Sequence, residues 1–128
     1  FVAAGAEQTS VGMAVLSEHA VAAAALVADV LRRPRLPESE LPRIVASLAR
    51  GLAIARADAA SLADEAIAEL AWGGHPFGRT LPSDGQLAAY TPADVRRFHA
   101  ANFGARRTHV YVAGRFDRAP LESALVAA

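Results

Sequence analysis

Two consecutive helical patterns constrain the fold of this chain more than any other feature of its 128 residues. The first is a stripe of apolar residues at helical spacing, formed by Leu41, Ile44, Val45, Leu48, Leu52 and Ala55. The second repeats an apolar residue every four positions, at Leu62, Ala66 and Leu70, and ends at a Gly-Gly pair that Pro76 follows. Glycine ends helices and proline prevents a restart. The stretch 37–79 is therefore predicted to hold two helices, around which the rest of the chain is arranged.

Alternating apolar and polar residues on either side of this stretch predict strands. Residues 9–16 place Val11, Met13 and Val15 on one face, and residues 107–113 alternate in the same way around Val110 and Val112. Helices are predicted at 17–33, from Thr91 to Gly104 and after Asp117. Two strands that enclose several helices predict an α+β fold, a mainly antiparallel sheet with helices packed on one face.

Local capping signals place several helix starts. Asp58 or Ser61 is a good N-cap for the second helix of the central pair. A short helical turn is expected at Asp84–Ala89. Thr91, with proline next and Asp94 three residues on, matches a capping box.

Composition excludes several classes of function. The formal net charge is zero and the pI is about 7.1, so nothing favours binding to nucleic acid or an anionic membrane. There is no cysteine, which rules out thiol catalysis and thiolate metal sites. No apolar run approaches the roughly 18 residues needed to span a bilayer. The sequence starts at Phe1 without methionine, and we expect it to be part of a longer protein.

The titratable residues do not form a recognisable catalytic motif. Glu18-His19 resembles the end of the inverted zinc motif His-x-x-Glu-His, but Val15 stands where its first histidine should be. No two of the four histidines are spaced i, i+4, the spacing that aims both at one ion. Glu65 and Glu69 do have the i, i+4 spacing. The simplest interpretation of this pair is that both carboxylates lie on a solvated face of the helix. His99 and His109 are expected to be half-buried structural residues.

Several segments nevertheless resemble the insulinase/pitrilysin family of zinc peptidases in their order and spacing. They are residues 15–19, residues 26–34, Leu36-Pro37-Glu38-Ser39-Glu40-Leu41, residues 58–64, Gly74-His75-Pro76-Phe77-Gly78-Arg79, residues 90–99 and residues 110–117. The resemblance covers nearly the whole chain. It implies that residues 1–128 are a single partial domain of that family, without the upstream segment that would hold His-x-x-Glu-His.

The resemblance also implies where a zinc ligand would lie. Active members bind zinc through His-x-x-Glu-His and a glutamate on a later helix, and the motif's glutamate is the general base toward a zinc-bound water. In this chain the later ligand position falls at Gly51, and a slip of one turn reaches Ser47 or Ala55. None of the three is a plausible zinc ligand, so a three-ligand catalytic site cannot be completed.

The function implied is that of a non-catalytic domain that pairs with a zinc-bearing domain or subunit and helps to enclose a peptide substrate. No catalytic residue and no cofactor are expected in this segment, with zinc only in the partner. His75, Phe77 and Arg79 are expected to form a structural loop or an interdomain contact. Two alternatives stay open: a truncated active zinc peptidase domain, and a purely structural scaffold subunit.

Overall fold

The computed structural model describes residues 1–5 and 7–127, which belong to two compact units. The first unit combines both ends of the chain, Phe1–Arg35 and Phe98–Ala128, and the second is the continuous stretch Leu36–Arg97. The described residues form six α-helices: α1 (Ala20–Arg32), α2 (Leu41–Ala57), α3 (Ala59–Trp72), α4 (Asp84–Ala89), α5 (Pro92–Asn102) and α6 (Arg118–Ala127). Single 3-10 turns lie at Ser17–His19, Glu38–Glu40, Pro76–Gly78 and Ala105–Arg107.

In the first unit, α1 packs against α6, and a short hairpin precedes α1. The hairpin pairs β1 (Val2–Ala4) with β2 (Thr9–Val11) in antiparallel register, with Val2 opposite Val11. The buried side chains are Ala28 on α1 and Leu121 on α6. His99, on the last turns of α5, places its Nε2 2.7 Å from the carbonyl oxygen of Leu31. Because α1 ends one residue later, this contact satisfies a carbonyl group that has no partner within the helix.

In the second unit, α2 contacts both α3 and α4. Its buried side chains are Leu52, on the inner face of α2, and Leu87 on α4. Arg56 of α2 donates to the carboxylate of Asp84 at the start of α4, at 2.8 Å. A few buried leucines and one exposed ion pair therefore hold these helices together, and an exposed pair of this kind contributes little.

The caps predicted at Asp58 and at Thr91 are confirmed. Asp58 accepts the N–H of Ser61 at 2.9 Å at the start of α3, and this bond lowers the pKa of the Asp58 carboxyl. At the start of α5, Thr91 N–H donates to Asp94 at 2.9 Å and Asp94 N–H donates to the Thr91 hydroxyl at 3.2 Å. The Thr91 hydroxyl, which also donates to the Asp94 carboxylate, is the main cause of the lowered pKa of Asp94. The short helix predicted at Asp84–Ala89 is α4, with the same bounds.

The predicted α+β fold is wrong. Helix accounts for 66% of the structure and strand for 5%, in one two-stranded sheet. Of the strand predicted at 9–16, only Thr9–Val11 forms a strand, and residues 108–113 lie in no sheet. Alternation indicates which face of a strand would be buried, but a ladder also needs a neighbour, which no described segment supplies here. Helices make their hydrogen bonds within one segment and so form without such a neighbour.

Within the described residues, no helix combines the length and the apolar character needed to cross a bilayer.

Candidate functional site

The position that the resemblance assigns to a zinc ligand lies on an exposed turn of α2. Helix α2 runs unbroken through Gly51, and a Cβ built on this glycine would meet no atom within 4 Å. One turn away on either side are Ser47 and Ala55, which offer no carboxylate. The residues present therefore do not fit a zinc ion at this position. Among residues 1–5 and 7–127, no group of three or more His, Asp or Glu side chains lies close enough to hold a metal.

Nothing in the backbone requires glycine at position 51, and this leads to a stability prediction. Glycine inside a helix is less stable than alanine by roughly 0.5–1 kcal/mol. We therefore expect Gly51→Ala to raise the free energy of unfolding by about that amount, measured by urea titration followed by circular dichroism. The matched control is Ala49→Gly, at an exposed position of the same helix, which should lower it by a similar amount. A loss of stability in Gly51→Ala would contradict the open surroundings described for this residue.

The four histidines differ in their contacts and in their exposure to solvent. His99 is half-buried and stacked on Phe103, with ring centroids 4.9 Å apart and planes 22° apart, as expected for a structural histidine. His109 is exposed and lies in no strand, so the prediction of a half-buried strand position for it is wrong. His19, also exposed, lies 3.5 Å from Glu18, its neighbour in sequence. The contact between His19 and Glu18 brings together two possible metal ligands, fewer than the three of a candidate metal site.

The predicted loop at residues 73–79 is a tight, internally bonded turn in the second unit. Gly73 ends α3 with a positive φ of 53°, and its N–H donates to the carbonyl of Glu69 at 2.8 Å. The N–H of Gly78 donates to the carbonyl of His75 at 2.9 Å. The Nδ1 atom of His75 accepts the N–H of Phe77 at 3.2 Å, which requires a neutral ring with its proton on Nε2. The side chain of His75 therefore helps to fix the turn.

Three rings pack against one another across this loop, and Trp72 is the member that sequence reasoning missed. The Trp72 and Phe77 rings meet edge to face at 5.5 Å, and the His75 and Phe77 rings at 4.8 Å. Trp72 and His75 lie 5.9 Å apart. The spacing of aromatic residues at 72, 75 and 77 around the end of a helix was the available signal. These separations are typical of aromatic pairs in contact, so the three rings pack on one another and do not form an open cage for a ligand.

Arg79, the third residue predicted for this loop, follows the 3-10 turn and is exposed. The structure therefore brings His75 and Phe77 together with Trp72, and leaves Arg79 at the surface beside them. The loop contains no nucleophile and no acid–base pair, so what it offers is a rigid aromatic surface with an adjacent cation. Trp72 is 54% exposed and Phe77 is 37% exposed.

The most unusual property of the molecule is the amount of surface it exposes, which includes many large apolar side chains. A compact protein of 13.3 kDa exposes about 6,500 Å², and two separate compact bodies of half that mass expose about 7,800 Å² together. This chain exposes 9966 Å². Even counted as two bodies, it exposes about 2,200 Å² more surface than compact folding would leave. On α3 the whole predicted stripe faces solvent, with Leu62 45% exposed and Leu70 88% exposed.

Comparison with known proteins gave no match to a protein-family model, to a curated protein or to a solved structure.

Proposed function

We propose that this chain is a non-catalytic binding domain that pairs with a zinc-bearing peptidase domain or subunit of the insulinase/pitrilysin type and helps to enclose its peptide substrate. The observation that carries the proposal is Gly51. At the position assigned to the last zinc ligand the residue has no side chain, and its neighbours one turn away are serine and alanine. The structure of α2 gives no reason for a glycine there, which fits the loss of a ligand no longer needed.

The exposed apolar surface supports the pairing part of the proposal. Proteins that act alone rarely leave contiguous apolar patches uncovered. The excess of about 2,200 Å² in total surface, to which many apolar side chains contribute, is larger than the roughly 800 Å² that each partner buries in a stable interface of standard size. A domain whose role is to cover and complete another subunit needs such a surface, whereas an independent enzyme does not.

The test is the zinc content and peptidase activity of the full-length protein. Purified alone, it is expected to hold no stoichiometric zinc by metal analysis and to leave a quenched fluorescent peptide library uncleaved. Adding a zinc-bearing member of the same peptidase family from the same source should produce cleavage above that of the zinc protein alone. Gly51→Ala should stimulate cleavage equally, because no side chain at this position takes part.

Two results would overturn the proposal. One tightly held zinc per chain, together with cleavage by the protein alone, would indicate an active peptidase. Stable association with the zinc protein but no change in cleavage would indicate a scaffold.

A further inference from the structure

Helix α3 turns its most apolar side to solvent. Five exposed residues share this side, and we call them the α3 face: Leu62, Ala63, Ala66, Ile67 and Leu70. Ile67 is 62% exposed and Leu70 is 88% exposed. Leu62 and Leu70 are eight residues apart, so the α3 face is about 12 Å long. A helix of a globular protein normally places such a stripe against the core, so on α3 it is a surface that a partner can cover.

The side of α3 that packs on the rest of the second unit is less apolar. Its half-buried residues are Ser61, Glu65 and Ala68. Helix α3 contacts α2 and the 3-10 turn at Pro76–Gly78. The helix is therefore held in its own unit by one side, and the α3 face is the other side.

The charged residues of α3 are all acidic, and they border the α3 face. Asp64, Glu65 and Glu69 each lie three positions from a residue of the face, which makes them its neighbours on the helix surface. Glu65 and Glu69 lie along one edge and Asp64 along the other. Among the described residues, no basic side chain forms an ion pair with any of these three carboxylates.

The other acids of the second unit all have partners. Four of them form ion pairs with arginine, namely Glu38, Glu40, Asp84 and Asp94. The fifth, Asp58, caps α3 by accepting the N–H of Ser61. The acids that have no partner within the described residues of this unit are therefore concentrated beside the α3 face.

An apolar stripe bordered by unpaired acids selects among possible occupants. Nucleic acids and anionic membranes are repelled by carboxylates, and helices that lie on membranes carry lysine and arginine instead. A second copy of α3 would bring acids against acids in either direction of packing, because α3 has no basic residue. An extended segment would bury backbone groups against side chains that cannot bond to them, whereas a helix satisfies those groups internally.

We propose that the α3 face is a docking surface for an amphipathic helix of a partner protein, apolar on one side and with arginine or lysine along both edges of that side. The apolar residues of the partner helix pack on Ile67 and Leu70. Its cations pair with Asp64 on one edge and with Glu69 on the other. This surface lies within the second unit, and its recognition does not rest on peptidase chemistry.

The probe is a fluorophore-labelled peptide of three repeats of Arg-Leu-Ala-Ala-Leu-Arg-Gln, titrated with the 128-residue chain and followed by anisotropy. Its leucines recur at helical spacing and its arginines flank them, so the peptide helix has one apolar stripe with cationic edges. Three repeats are used because shorter isolated helices are marginal in water. The matched control peptide has glutamate in place of every arginine and keeps the leucine stripe.

At low salt we expect the arginine peptide to bind about fivefold or more tightly than the glutamate peptide, because it replaces like-charge contacts with ion pairs at several positions. The double variant Asp64→Lys/Glu69→Lys should reverse this preference. Its control, Glu7→Lys/Glu18→Lys, makes the same change of charge at two exposed acids of the first unit and should leave the preference unchanged.

The apolar part of the α3 face is tested by Ile67→Gln. We expect this variant to bind the arginine peptide about fivefold or more weakly, since covering an exposed isoleucine side chain contributes up to about a factor of ten or more to affinity. The control is Ile54→Gln on α2, where the isoleucine is 72% exposed. It should bind the peptide as the unchanged protein does. Circular dichroism checks the helix content of every variant.

Four results would overturn the inference. No binding of the arginine peptide, or equal binding of the two peptides, would show that the α3 face does not select cations. The same loss of preference in both charge variants would show that only net charge matters. Unchanged binding by Ile67→Gln would place the peptide elsewhere. A dimer in sedimentation experiments that Ile67→Gln dissociates would assign the α3 face to a second copy. None of these outcomes bears on the zinc and cleavage test, so the two proposals can fail independently.

Discussion

Replacing Leu121 with alanine is expected to destabilise the first unit by about 2–5 kcal/mol, the usual cost of emptying a buried leucine site. Leu121 is 3% exposed and is one of the two buried side chains among the described residues of this unit. Because α1 and α6 have little other buried apolar contact, the cavity would weaken the packing that joins the two ends of the chain. We expect the first unit to unfold at a lower urea concentration than in the unchanged protein. NMR signals of individual residues would measure this.

The control for this prediction is Leu26→Ala on α1, in the same unit. Leu26 is 52% exposed, so the same change of side chain should cost less than about 1 kcal/mol. Trp72, the one tryptophan of the chain, lies in the second unit. The urea midpoint of the second unit, followed by the fluorescence of Trp72, should therefore be unchanged in both variants. Equal losses of unfolding free energy in the two variants would show that the burial of Leu121 does not stabilise the first unit.

Replacing Gly78 with alanine is the other change expected to have a large effect. Gly78 is buried, and a Cβ at this position would lie 2.5 Å from the carbonyl oxygen of Gly73. That atom belongs to the backbone at the end of α3, so a flexible side chain cannot move away to relieve the contact. Overpacking of this kind costs about 1–3 kcal/mol. The backbone movement that relieves this contact should also separate the rings of Trp72 and Phe77, and so change the fluorescence emission of Trp72.

Gly74→Ala is the matched control, because a Cβ at Gly74 would meet no atom within 4 Å. We expect it to change the free energy of unfolding by less than about 0.5 kcal/mol and to leave the emission of Trp72 unchanged. The urea midpoint and the emission spectrum of the two variants are measured together. A stable Gly78→Ala protein with unchanged emission would contradict the tight turn described here.

Sequence reasoning succeeded where the controlling interaction was local. Asp58 is bonded to Ser61, and Thr91 to Asp94, three residues away in each case, so both caps could be predicted from a few letters. The end of α3 at Gly73 was predictable for the same reason. Val110 and Val112 gave an equally clear alternating signal, yet they lie in no sheet. A strand depends on a neighbour elsewhere in sequence or in another chain, and alternation carries no information about whether that neighbour is present.

The candidate site was predictable to a similar extent. His75 and Phe77 were singled out for the loop, and the structure adds the bond between them and their packing on Trp72. Leu70, by contrast, continues the apolar stripe of α3, but it is almost fully exposed. Helical periodicity identifies which residues share a face, and the surroundings of the helix decide whether that face is covered.

The discontinuity of the first unit has a consequence for the order of folding. The second unit is one continuous stretch, Leu36–Arg97, so all of its contacts are available before the residues that follow Arg97 are synthesised. The first unit needs the chain after Phe98, and its contact between His99 and Leu31 joins residues 68 positions apart. Contacts so distant in sequence slow folding. On the ribosome, the second unit can therefore fold first. Until the residues after Phe98 have been synthesised, α1 keeps its apolar face uncovered.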